Sequence, residues 1–177
     1  MYRNTFLSVM FLACCFNGSL CAQSDAQIYE RTCDAKTYPF SDPSPVATPN
    51  NSYYPYFRFD GFSMQAQEKQ WKMVVLENDY VKLTVTPEIG GKIWGAIDKV
   101  NNKEFVYTNG VVKFRDVAMR GPWTSGGIEF NFGIIGHAPT CSTPIDYLTK
   151  KNVDGSVSCH IFSYEWITRT VWNVEIN

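Results

Sequence analysis

The chain has 177 residues, a formal charge of −1, 45% hydrophobic side chains and 15% aromatic ones. That is length enough for one domain with a real core, and too apolar for a disordered polypeptide. The near-neutral charge argues against nucleic acid or an anionic membrane surface as partner.

Residues 1–22 carry a basic Arg3, an apolar run from Phe6 to Phe16, a break at Asn17 and Gly18, and small residues around Ala22. This is the pattern of a signal peptide, and the apolar run is too short to cross a bilayer core. The mature chain is therefore expected to lack a membrane span and to be secreted, periplasmic or displayed at the cell surface. Loss of Arg3 with the leader leaves 15 basic against 17 acidic side chains.

Residues 23–70 are rich in Pro, Tyr and Ser, with no sustained period of 2 or 3.6, and read as an extended lead-in draped over a domain. From Trp71 the character changes. Val81, Leu83 and Val85 alternate with Lys82, Thr84 and Thr86, as in a strand with one buried face. Pro87 ends that strand, Gly90 and Gly91 turn the chain, and Ile93 to Ile97 begin the next. Asn101 and Asn102 predict a hairpin turn into Glu104 to Thr108, and Asn152-Val153-Asp154-Gly155 predicts a second hairpin. At the end, Thr170, Trp172, Val174 and Ile176 share one face of a final strand. No helix is expected after the leader. Residues 71–177 therefore read as an all-β, mostly antiparallel sandwich-like domain. Because a sheet ending in this strand would leave an apolar edge, the chain reads as the N-terminal part of a longer, truncated protein, and a fragment without autonomous activity is one reading of it.

Cys33, Cys141 and Cys159 follow the leader. In an oxidising compartment a Cys141–Cys159 disulfide is chemically allowed, with one thiol left over. A metal set of His137, Cys141, Cys159 and His160 is disfavoured. Cys159 and His160 are consecutive on an expected strand, so their side chains leave opposite faces. No metal or cofactor is called for.

The segment RGPWTSGGIEFNFGIIGHAPT, residues 120 to 140, is the most distinctive stretch. Strand alternation places Ile128, Phe130 and Phe132 on one face and Glu129 and Asn131 on the other, roughly 6–7 Å apart. A carboxylate and an amide at that spacing suit several hydroxyls of one sugar ring. Trp123 offers a flat apolar face, Arg120 a positioning cation and His137 a general acid or base. Ser125-Gly126-Gly127 lets backbone come close. Each residue also has a plainer reading: Glu129 and Asn131 solvated, Trp123 a core plug, His137 a structural hydrogen-bonder. Arg115, Asp116 and Asp146 are secondary candidates better suited to surface ion pairs, and Glu88 suits a turn residue that accepts from backbone N–H groups.

The stretch LTVTPEIGGKIWGAIDKVNNKEFVY resembles the opening hairpin of the galactose-mutarotase-like, or aldose-epimerase-like, β-supersandwich, and GGIEFNFGIIGH is similar to a segment of sugar-phosphate mutarotase relatives. From about residue 37 onward the chain resembles the N-terminal half of large secreted or periplasmic proteins of Bacteroidota. These carry that supersandwich as a domain of unknown function, often followed by tetratricopeptide-like repeats. The resemblance implies a partial supersandwich and a sugar or glycan ligand. It leaves open a glycoside hydrolase, an aldose-epimerase-like enzyme, or a non-catalytic domain that presents adjoining repeats to a protein partner. The catalytic glutamate of the mutarotases belongs to their C-terminal half and does not map onto Glu129. Within this chain Glu129 and His137 are the expected catalytic pair, and Arg120, Trp123 and Asn131 the expected substrate-binding residues.

Overall fold

The computed structural model describes residues 26–40, 61–116, 122–132, 136–165 and 169–177. The expected leader, residues 1–22, lies outside the described residues. In chain order the strands are β1 (Gln27–Tyr38), β2 (Gln67–Glu77), β3 (Val81–Thr86), β4 (Lys92–Asp98), β5 (Lys103–Val106), β6 (Val112–Lys113), β7 (Arg115–Asp116), β8 (Pro122–Trp123), β9 (Asp146–Lys151), β10 (Val157–Glu165) and β11 (Thr170–Ile176), with one 3-10 turn at Pro139–Cys141. The chain is all-β, as its patterning predicts. A six-stranded sheet runs β5-β4-β3-β2-β1-β6, a three-stranded sheet runs β11-β10-β9, and β7 pairs with β8. Neighbouring strands are antiparallel except β1 and β6, which run parallel.

Both predicted hairpins form. Asn102 takes a φ of 50° between β4 and β5, a conformation Asn tolerates better than most residues. Between β9 and β10, Asn152 N donates to Ser156 O at 2.8 Å, and Asp154 Oδ1 accepts from both the Ser156 amide and hydroxyl.

The stretch read as a lead-in holds a difference. Gln27–Tyr38 pairs with β2 over almost its whole length, and Gln67 to Gln70 already belong to β2. The reason is that the two ends of β1 rest against different apolar clusters on opposite faces of the sheet. Ile28, Val74, Leu76, Val85 and Ile93 face the three-stranded sheet and pack with Val157, Cys159, Ile161, Trp172 and Ile176. On the opposite face Trp71, Met73, Trp94, Val112 and Phe114 form a second cluster, against which Cys33 and Ala35 rest. A strand that buries one face at one end and the other face at its other end shows no single alternation.

The final strand behaves as its pattern predicts: Trp172 and Ile176 are buried and Val171 is exposed. The expected strand through Glu129 does not form beyond a single bridge between Ile93 and Ile128. The disulfide considered for Cys141 and Cys159 is not formed, and all three cysteines are free. Burial raises the Cys159 thiol to about 11, while burial and the charge of Glu129 raise Cys141 to about 12. Because the thiolate is the reactive form, Cys33 is expected to be the one of these three that reacts with Ellman's reagent at pH 8 in the native state. Labelling of Cys141 and Cys159 without denaturant, located by peptide mapping, would contradict that. Among the described residues no helix is long and apolar enough to cross a membrane.

Candidate functional site

Two glycine pairs build the site. In the turn after β3, Gly90 and Gly91 have φ of 63° and 66°. A Cβ on Gly90 would lie 2.4 Å from the Cys141 carbonyl, so only glycine lets the 3-10 turn come this close. The turn hands the chain to Lys92 at the start of β4. In the second pair Gly127, with φ 70°, leaves 2.3 Å between an added Cβ and Ile93 O. That closeness allows Ile128 N to donate to Ile93 O at 2.8 Å and Ile93 N to donate to Ile128 O at 3.1 Å. Asn109 steadies the same loop by donating to Ser125 Oγ.

Glu129 leaves this loop as the hub. Its Oε1 accepts from Asn131 Nδ2 at 3.0 Å and lies 2.8 Å from His137 Nδ1. The Asn131 carbonyl oxygen Oδ1 in turn accepts from the His137 backbone N–H. His137 has a φ of 56°, an uncommon conformation for a residue other than glycine, which the two contacts to Glu129 and Asn131 hold in place. Trp123, set on β8 by pairing with Arg115 on β7, stands edge-on to the imidazole with ring centroids 6.4 Å apart. The Glu129 side chain is 12% exposed and that of His137 37%, so the histidine forms the solvent-facing side of the pair. Among the described residues Glu129 Oε2 is buried without a hydrogen-bond partner.

Four of the five predicted site residues are thus brought together: Trp123, Glu129, Asn131 and His137. Arg120 lies outside the described residues. The expected same-face placement of Glu129 and Asn131 holds as proximity, although no regular strand produces it. Of the secondary candidates, Glu88 accepts from Lys72 N at 2.6 Å, the expected turn role. Arg115 makes contacts of another kind among the described residues. Its guanidinium donates to Phe114 O at 2.6 Å and lies over Phe62 at 4.8 Å. Asp146 is exposed on β9, and Asp116 ends β7. Cys159 is buried in the core while His160 Nε2 stands 3.7 Å from Glu175 Oε1, on opposite faces of β10 as expected. Among the described residues no cluster of three or more His, Cys, Asp or Glu is arranged to hold a metal ion.

Two polar residues escaped the sequence reading. Lys92 is only 1% exposed, and its Nζ donates to Thr124 O at 2.8 Å and Thr124 Oγ1 at 3.0 Å. Burial pulls its pKa down, while the charges of Glu129 and Cys141 push it back up. Cys141 Sγ donates to Phe130 O at 3.5 Å and Asn131 Oδ1 at 3.4 Å. The only signal for Lys92 in the sequence is its place directly after two glycines and before an apolar pair, where a charged side chain has no obvious route to water.

Two cavities lie elsewhere. One of about 400 Å³ lies beside Leu76, Tyr80, Val81 and Val157; its carboxylate, Glu77, is already engaged by Tyr29 at 2.9 Å and by Lys99 at 3.5 Å. One of about 260 Å³ opens on the far face of the large sheet beside Arg31, Thr84 and Trp94. Neither includes Glu129. Glu129 Oε2 is one of three buried side-chain polar atoms without a hydrogen-bond partner among the described residues, with Thr140 Oγ1 and Trp172 Nε1.

The fold and the cluster define an all-β domain with a carboxylate, amide and histidine gathered on a glycine-shaped loop. The chain belongs to the family described as Domain of unknown function (DUF5107), whose model matches residues 48–177. It is also similar to the crystal structure of a TPR-domain containing protein from Parabacteroides distasonis, with 26% identity and a TM-score of 0.71. That match covers 81% of this chain and 25% of the other, so this chain spans about a quarter of that protein's length.

Proposed function

We propose that this domain binds a sugar or glycan at the Glu129, Asn131 and His137 cluster, with Trp123 as the apolar wall. The observation that carries this is the convergence of Asn131 Nδ2 at 3.0 Å and His137 Nδ1 at 2.8 Å on Glu129 Oε1, with the imidazole on the solvent side beside the Trp123 ring. A carboxylate, an amide and an imidazole held together can accept from and donate to sugar hydroxyls. Because the ionised carboxylate can only accept, Nδ1 carries the proton in its contact with His137. In the tautomer that donates from Nδ1, Nε2 is an acceptor. This supplies one half of the acid and base pair that epimerisation needs. Residues 1–22 are read as an export signal, and the protein as secreted, periplasmic or exposed at the cell surface.

A second reading is favoured by the TPR-domain containing protein to which the chain is similar: a non-catalytic domain that presents helical repeats to a protein partner. Calorimetry with a panel of monosaccharides and oligosaccharides separates the two. Glu129→Gln is expected to weaken binding about 10-fold or more, the effect of losing a hydrogen bond to a charged group, and Trp123→Ala to weaken it further. Equal affinities for wild type and Glu129→Gln would refute this site, and no binding to any sugar would leave the non-catalytic reading.

A further inference from the structure

The loop between Trp123 and Glu129 is held to β4 at both of its ends, by two consecutive residues. After the loop, Ile128 N donates to Ile93 O at 2.8 Å and Ile93 N donates to Ile128 O at 3.1 Å. Before it, Lys92 Nζ donates to Thr124 O at 2.8 Å and to Thr124 Oγ1 at 3.0 Å. On its way the Lys92 stem passes Gly127, where an added Cβ would come within 3.3 Å of Lys92 Cε. The middle of the loop is fixed by Asn109 Nδ2, which donates to Ser125 Oγ, and by Gly127 N, which donates to Tyr107 O. Lys92 and Thr124 are each 1% exposed, so water does not compete for the bonds between them. Burying an ammonium is expensive, and an apolar side chain of the same length would fill the space. What such a chain lacks is a pair of donors to reach Thr124. Trp123 directly precedes Thr124, and its regular pairing is the two-residue ribbon of β7 and β8; so short a ribbon is marginal by itself.

We infer that Lys92 is a positioning residue for Trp123. Its two hydrogen bonds fasten the end of β8 to β4 and so fix the indole where it stands edge-on to His137, with ring centroids 6.4 Å apart. Ile93 does the same for Glu129 through the backbone at the other end of the loop. Two neighbouring residues of β4 thereby set the apolar wall against the polar cluster. This rests on the reading of the cluster as a sugar site, and it refines that reading. A ring already in place does not have to be ordered by the ligand, which lowers the cost of binding. The pair suits a pyranose that presents a flat C–H face to Trp123 and its hydroxyls to Glu129 and Asn131 together.

Two measurements test this. The first needs no ligand. The chain has two histidines, His137 beside Trp123 and His160 on β10, so proton NMR separates their ring signals once His137→Gln removes one set. The Trp123 ring current displaces the His137 signals, and Trp123→Ala gives their positions without it. Lys92→Met keeps the length of the side chain and loses its donors. On the alkaline plateau of the titration, where ring protonation no longer contributes, its His137 signals are expected to move toward the Trp123→Ala positions while those of His160 stay in place. His137 signals at their wild-type positions overturn the inference. Should Lys92→Met not fold, Thr124→Val, which removes one of the two acceptors, is expected to give a smaller displacement in the same direction, and no displacement overturns the inference equally. The second measurement is a double-mutant cycle by calorimetry, with whichever of D-glucose, D-galactose and D-mannose binds wild type most tightly. Lys92→Met is expected to weaken binding about 5-fold, the scale of one aromatic contact, and to have no effect in Trp123→Ala, because it acts through that ring. An equal loss in both backgrounds overturns the positioning role. If none of the three binds, that result counts against the sugar reading, while the histidine signals still decide whether Lys92 sets Trp123.

Discussion

Gly127→Ala is expected to lower the thermal midpoint by about 10 °C and to abolish the geometry of the Glu129 cluster. Gly127 has φ 70°, and an alanine methyl there would stand 2.3 Å from Ile93 O. The left-handed conformation alone costs a side chain about 1–3 kcal/mol. Relieving the collision means separating Ile93 from Ile128, whose two mutual backbone hydrogen bonds contribute about 1 kcal/mol each. The total of about 3–5 kcal/mol corresponds to roughly 2–4 °C per kcal/mol for a chain of this size. Gly155→Ala supplies the control: Gly155 has φ 85° but nothing within 4 Å of an added Cβ, so it reports conformational strain without collision. Circular dichroism melts of the two variants decide the matter. Equal midpoints would mean that the close approach of Gly127 to β4 contributes nothing.

Trp71→Ala is expected to be comparably damaging, at about 3–5 kcal/mol for a large buried aromatic. Trp71 is the centre of the second cluster, on the face of the large sheet turned away from β9, β10 and β11. Its indole N–H donates to Thr37 Oγ1 at 2.9 Å across the β1–β2 pair, its ring meets Phe114 at 6.1 Å, and Lys69 Nζ lies 3.7 Å from the ring centroid. Trp71→Phe retains most of the apolar burial and loses the hydrogen bond to Thr37, a difference of about 1 kcal/mol. Urea unfolding should therefore rank wild type, Trp71→Phe and Trp71→Ala in that order. A Trp71→Ala variant as stable as Trp71→Phe would show that this face is surface rather than core.

How much of the site was legible follows from what one residue type can announce by itself. Gly126 and Gly127 announce a sharp backbone path, and Glu129, Asn131 and His137 a cluster of donors and acceptors close in sequence. Their proximity survives the loss of the expected strand, because His137 Nδ1 and the amide of Asn131 both converge on Glu129 Oε1. Lys92 and Thr124 were not legible as partners. They are 32 residues apart, and nothing in local patterning marks a lysine whose head is to be buried beneath another loop.

The sequence by itself determined the elements that alternation and turn chemistry mark, which are local properties: β3, β11, and the hairpins at Asn102 and at Asn152 to Gly155. Tertiary structure alone decided that β1 joins the large sheet, because its two ends bury opposite faces under different partners and so erase any single period. It also decided that Lys92 comes to lie beneath Gly127, with its head on Thr124. That placement depends on a glycine turn that brings Cys141 against Gly90 and on a bridge between Ile93 and Ile128, contacts between segments far apart in the chain whose energies no local pattern encodes.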